Sequence, residues 1–207
     1  NNTDVALVSY RRISTATFDQ QGVFYRFDLA GATLAARVYI DTNQQITQMS
    51  LTDLREYNAN GDIGIAGTLL SPFGAPINYD IDPLYLRVNG LGNPLGATIY
   101  PTFGLQGLRG AESGDGMEIF ASPGGVPSMI ISGFTDFSIP GPVTITGLHL
   151  LRINAANGAV QWMNRYANFY NGYAAVERDR RTGDVVVAGL LQNFSSLPLP
   201  AVAGLLK

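Results

Sequence analysis

Apolar and polar residues alternate along most of this chain with a period of two. In "LHLLRI" (Leu148 to Ile153) alternation sends Leu148, Leu150 and Arg152 to one face and His149, Leu151 and Ile153 to the other. "VQWMNRY" (Val160 to Tyr166) continues the pattern, and "NAANG" between the two ends in Asn157-Gly158, a pair that favours the positive φ of hairpin turns. "YAAVERDRRTGDVVVAGLL" (Tyr173 to Leu191) reads the same way: an apolar segment, a polar turn with Gly183, then a buried-type run passing through Gly189. Helical spacing is nearly absent. "ITQMSLTDLREY" (Ile46 to Tyr57) is the one stretch that would suit a helix, and its place in the pattern described next assigns it to a strand instead.

The strands recur as a set. Arg26, Arg87 and Arg152 lie 61 and 65 residues apart, and a turn glycine follows each at Gly31, Gly92 and Gly158. A strand then ends at Tyr39, Tyr100 and Tyr166. Downstream, "DIGIAG", "SMIISG" and "DVVVAG" close on Gly67, Gly133 and Gly189. At the start of the chain "DVALVS" mimics "DVVVAG" and ends at Ser9, and near its other end Lys207 falls where the other units carry arginine. Each unit of about 60 residues therefore reads as four antiparallel strands, a to d, with the glycine in b, the cation in c and the tyrosine ending d. The predicted order is b-c-d, a-b-c-d, a-b-c-d, a-b-c, or fourteen strands. Glycine in strand b fits close backbone approach, and the Trp or Tyr of strand d suits cover for the core between units.

The quoted pattern "LHLLRINAANGAVQWMNRY…YAAVERDRRTGDVVVAGLL" resembles the bacterial repeat family of the seven-bladed β-propeller type. Its marks are an apolar strand with a basic residue, Asp/Asn-x-x-Gly, an aromatic strand ending in Tyr, and Asp-x-x-Gly-Asn/Asp before a strand ending in Gly. The third unit matches best. The second departs most, because "GAESGDGMEIFASPGGVPS" carries an insertion at a turn. The resemblance implies an all-β, propeller-like array of four-stranded antiparallel blades, incomplete at both ends, and gives no reaction. Proteins of this type are commonly exported or surface-attached. A β-trefoil and a β-sandwich are the competing architectures. The end blades leave three arrangements open: a small closed propeller, part of a longer array, or strands supplied by neighbouring subunits at exposed edges.

Composition agrees with one all-β domain over residues 1–207: 46% hydrophobic, 14% charged, with Gly 24 and Pro 11. A net charge of -3 and a pI near 5.0 provide no basic field for nucleic acid. No apolar run approaches the roughly 20 residues of a membrane helix, so membrane insertion is not expected. Cys 0 removes disulfides, thiol catalysis and thiolate metal sites. The opening "NNTDVAL", without Met or a signal-type apolar segment, reads as a processed or excised piece, with removal of a signal peptide as the expectation.

Candidate chemistry is sparse. His149 is the only histidine, shares a face with apolar residues, and reads as a packed, hydrogen-bonded core residue rather than a general base. Asp80 and Asp82 in "NYDIDP" point the same way if extended and are the candidate metal ligands, for calcium. Glu112, Asp115 and Glu118 read as solvated carboxylates of a glycine-rich loop, although a suitably spaced pair would serve a glycosidase. The repeated cations read as packing stems with solvated heads. "RYANFYNGY" reads as a loop in which Tyr166, Phe169, Tyr170 and Tyr173 among asparagines suit sugar or protein contacts, and these four are the candidate binding residues. Asn1-Asn2-Thr3 and Asn193-Phe194-Ser195 fit glycosylation acceptors.

The expectation is a non-enzymatic extracellular or cell-surface module for binding or structural assembly, an adhesin or filament component, with no catalytic residues and no cofactor. Its partners would be protein, either another copy or a longer parent chain joined by strand-edge pairing, or a surface glycan. A lectin-like propeller and a carbohydrate-active hydrolase are the alternatives.

Overall fold

The computed structural model describes residues 4–12, 20–40, 48–73, 78–101, 111–120, 127–138, 144–167, 169–191 and 202–206. They form fifteen strands and no helix. A first antiparallel set holds β1 (Asp4–Arg12), β2 (Gln20–Asp28) and β3 (Thr33–Tyr39). A second is the meander β4 (Gln48–Glu56), β5 (Ile63–Phe73), β6 (Asn78–Val88) and β7 (Pro94–Ile99). One parallel bridge, Gln20 to Gln48, joins these two sets into a single hydrogen-bonded sheet.

In the third set β8 (Ala111–Glu112) and β9 (Gly116–Phe120) both pair with β10 (Ser128–Ser138), followed by β11 (Thr144–Asn154) and β12 (Val160–Ala167). The fourth is β13 (Phe169–Arg178), β14 (Val185–Leu191) and β15 (Val202–Leu206). Fourteen predicted strands become fifteen because one strand a is cut in two. The helix-like stretch Ile46 to Tyr57 contains strand β4, as its place in the repeat requires.

Register shows that the repeat is physical. Ser9 pairs Val23, Gly67 pairs Leu84, Gly133 pairs His149 and Gly189 pairs Gly204. Each partner lies three residues before the cation of strand c. Across strands c and d, Arg26 pairs Ala35, Arg87 pairs Gly96 and Arg152 pairs Trp162, each four residues before the closing tyrosine. The turn glycines Gly31, Gly61, Gly92, Gly158 and Gly183 all sit at φ between 74° and 86°, the left-handed region where a side chain is penalised. At all five turns an Asp or Asn carboxyl or amide oxygen (Asp28, Asn58, Asn89, Asn154, Asp179) accepts a backbone N–H two residues on.

Alternation then sets the stacking. One face of the second and of the third set meets the next set, and the opposite face meets the previous one. Phe24, Ala35 and Tyr39 of the first set pack on Ile63, Ile65, Leu84, Leu86 and Val88 of the second. Tyr85 and Ala66, on the second set's other face, pack on Met129, Ile131, Leu151 and Ile153. Ile130, Leu148 and Leu150 pack on Val176 and Val187 of the fourth set. The tyrosines Tyr39 and Tyr100 are part of these cores, and Trp162 and Tyr166 cover the third. The β5, β6, β10 and β11 segments accordingly carry apolar residues at successive positions, because the inner sets are buried on both faces. The structure is thus all-β and built of several sheets. Among the described residues no ring of four-stranded blades is seen, and the main packing runs from each set to its sequence neighbour.

Candidate functional site

Every strand a is irregular where it passes the glycine of strand b. In β4 the register shifts between Leu51 and Asp53, leaving Thr52 as an extra residue beside Gly67. In the third set residues 113–115 interrupt the strand beside Gly133. In β13 the shift falls between Tyr170 and Ala175, beside Gly189. The cause lies in strand b, whose glycine admits backbone where a side chain would stand. A Cβ on Gly67 would strike the Ser50 carbonyl, and one on Gly133 the Ser113 carbonyl. Bulges re-aim side chains and gather at functional sites, so this line is the candidate site.

At the junction of the second and third sets the bulges bring polar groups together. The Thr52 hydroxyl donates to the Gly114 carbonyl at 2.5 Å, and the Gly114 N–H donates to Thr68 Oγ1 at 3.1 Å. Asp53 accepts from the Met117 N–H at 2.9 Å and from Arg55 Nη1 at 2.5 Å, while Arg55 Nε reaches Glu118 Oε2 at 3.4 Å. Ser113 Oγ donates to Asp115 Oδ2 at 2.8 Å and accepts the Phe134 N–H at 3.1 Å. Burial pushes the Asp115 carboxyl above the usual carboxylate range, and the bonds from Ser113 and the Phe134 backbone pull against it.

Chemically this is a junction. Its donors and acceptors bridge the two sets, and the Ser113 hydroxyl is buried with both roles occupied. Asp115 and Glu118 are therefore part-buried, bonded carboxylates, which corrects the solvated loop expected of them; the Glu112 side chain lies outside the described residues.

The repeated cations and tyrosines also act across junctions. Arg26 Nη1 donates to the Gly90 carbonyl at 2.5 Å, and Arg87 Nη1 donates to the Ala156 carbonyl. The Tyr39 hydroxyl donates to the Gly92 carbonyl and the Tyr100 hydroxyl to the Gly158 carbonyl, both at 2.8 Å. In each case the acceptors are the turn glycine of the next set and the residue two before it. The cation heads of Arg26 and Arg87 are thus clasps on the following turn, not solvated ends. Arg26 also holds Asp4 at 2.6 Å. Sequence reading missed the acceptors because a backbone carbonyl leaves no residue signature.

Of the predicted binding residues, Tyr166 is the penultimate residue of β12 and packs half-buried on the third core. Phe169, Tyr170 and Tyr173 lie in strand β13, which corrects the predicted loop; one residue separates β12 from β13, and Asn171 and Gly172 fall in the bulge. The side chains of Phe169, Tyr170 and Tyr173 are outside the described residues. Asp80 and Asp82 both lie on β6, opposite Ser71 and Leu69. Asp82 is buried, and the Asp80 side chain is outside the described residues. Among the described residues no three His, Cys, Asp or Glu side chains gather as a metal site. Both glycosylation triplets fall outside the described residues. His149 is packed as expected, fully buried between Gly133 and Arg165, yet neither ring nitrogen meets a hydrogen-bonding protein group, which corrects the expected hydrogen bonding. Burial, and then the charge of Arg165, lower its pKa to about 3. Among the described residues no helix is long and apolar enough to cross a membrane. No known family model matches this chain, and no curated protein matches it.

Proposed function

We propose that this chain is a non-enzymatic β-repeat module of the propeller type, acting outside the cell or at its surface in binding or structural assembly, as an adhesin or filament component. The carrying observation is where its polar side chains go. Arg26, Arg87, Tyr39, Tyr100, Thr52 and Asp53 are all committed to holding one set of strands on the next. Such a chain extends surface, with these described polar groups spent on its junctions. The propeller type and the location rest on the repeat resemblance.

Co-sedimentation of the purified chain with cell-envelope polymers, alongside turnover assays on glycans, tests this reading. Retention or self-assembly without turnover is expected. Glycan hydrolysis that Asp53→Asn or Asp115→Asn abolishes would replace it with the hydrolase. A lectin is the second reading, supported by the tyrosines and asparagines that β12 and β13 carry between Asn164 and Tyr173. Binding on a glycan array that Tyr170→Ala removes would select it.

A further inference from the structure

The stacking rule leaves one face uncovered at each end of the row. Strand b of the first set carries Val5 and Leu7 four and two residues before Ser9. Their equivalents are Ile63 and Ile65 before Gly67, and Met129 and Ile131 before Gly133. Those four are 4% exposed or less, whereas Val5 is 53% and Leu7 51% exposed. On the neighbouring strand Tyr25 and Phe27, stacked with ring centroids 5.9 Å apart, are half-buried where Leu86, Val88, Leu151 and Ile153 are buried. Strand d does not share this anomaly: Val38 and its equivalent Ile99 are 42% and 43% exposed alike. The uncovered area is therefore the part of the face that, in the second and third sets, the preceding set covers. The first set's turn also presents the carbonyls of Leu29 and Gly31, the equivalents of the Gly90 and Gly92 carbonyls that Arg26 and Tyr39 clasp.

At the other end, β13 and β14 turn Val176 and Val187 towards the third set, so Ala175, Glu177, Val186 and Ala188 look away from it. Ala188 is exposed, whereas its equivalents Ala66 and Ser132 are buried under the following set. One chain thus carries both halves of a junction it makes three times internally: a face that receives the next set and a face that receives the previous one.

We infer that a second copy of this chain fills the junction, its fourth set seated head to tail on the Val5, Leu7, Tyr25 and Phe27 face of the first. This rests on the assembly reading above and names its partner. Such a contact is heterologous, so repetition gives rings or filaments. The mass in solution, followed by sedimentation over a wide concentration range, tests it. The wild-type chain associates, and Leu7→Glu and Ala188→Arg each hold it monomeric, while the turn control Asn60→Glu leaves association unchanged. Both sites are exposed, so circular dichroism and melting stay at wild-type values; Val5→Glu replaces Leu7→Glu if that variant does not fold.

An equal mixture of the two variants restores association but stops at two copies, because one intact junction remains. A wild-type chain monomeric at every concentration overturns the inference. So does association that Leu7→Glu abolishes and Ala188→Arg leaves intact, which would mean first face on first face, or a mixture that stays monomeric. Retention on envelope polymers by a monomeric wild-type chain would sink this inference and keep the binding reading. A monomer that is retained by nothing would sink both.

Discussion

His149 occupies the position that Val23 and Leu84 hold in the other sets, and all three are buried. The backbone thus asks for an apolar side chain there, and the third set supplies two ring nitrogens without protein partners. Leaving such groups unmet costs about 1–3 kcal/mol, so His149→Leu is expected to stabilise the chain at pH 7 by about 1 kcal/mol. The acid response follows from the sign of the shift. With a folded pKa of about 3 against an ordinary 6.5, the unfolded chain takes up a proton between those values and the folded chain does not. Stability conferred by the neutral ring is complete above pH 6.5 and is lost as pH falls towards 3, at up to about 1.4 kcal/mol per pH unit. Asp115, shifted upward, acts oppositely at the acid end, gaining stability as pH falls. Denaturant midpoints across pH 3–8 for wild type and His149→Leu isolate the histidine by difference. A pH slope equal in the two proteins would show that His149 finds a partner when protonated.

The strand sets were largely legible because their signals are local: turn glycines at positive φ, period-two alternation, and a glycine in strand b at a fixed distance from a cation in strand c. What the sequence hid depends on the adjoining strand. Thr52 and residues 113–115 fall out of register where strand a brings its own Ser50 and Ser113 carbonyls against Gly67 and Gly133 of strand b, and nothing within "LTDL" or "ESGDG" announces that approach. Asn171 and Gly172 read as loop chemistry, yet the bulge of β13 absorbs them within a strand. The tyrosines closing strand d were legible as a series but not as donors. Tyr100→Phe removes a bond to the Gly158 carbonyl at a buried site and should cost about 1–2 kcal/mol, with Tyr39→Phe similar. For Tyr166, the third in the series, no described turn provides that carbonyl, and Tyr166→Phe should change stability by less than about 0.5 kcal/mol. Chemical denaturation of the three variants checks the contrast, and equal losses at all three would refute the clasp.

A row in which the main packing of each set, among the described residues, is against its sequence neighbours stores stability unevenly, as stacked repeats do. The strands β5 and β6 lie between the first and second cores, and β10 and β11 between the second and third, so opening either pair exposes two apolar interfaces at once. The first and fourth sets each lose only one. Burial stabilises by roughly 25 cal/mol per Å² of apolar surface, and removing an end set forfeits about half of what removing an inner set does. Amide hydrogen exchange of the dilute chain should then be slowest in β5, β6, β10 and β11 and at least tenfold faster in β1, β2 and β14. Uniform protection would mean that the whole row opens as one cooperative unit and that the sets are not separable in energy. The same measurement reads the ends. If the open faces of the first and fourth sets meet between copies, an end set acquires the second interface that the inner sets already have. Protection of β1, β2 and β14 must then rise with protein concentration towards that of β5 and β10, while the inner strands, already covered on both sides, stay where they were.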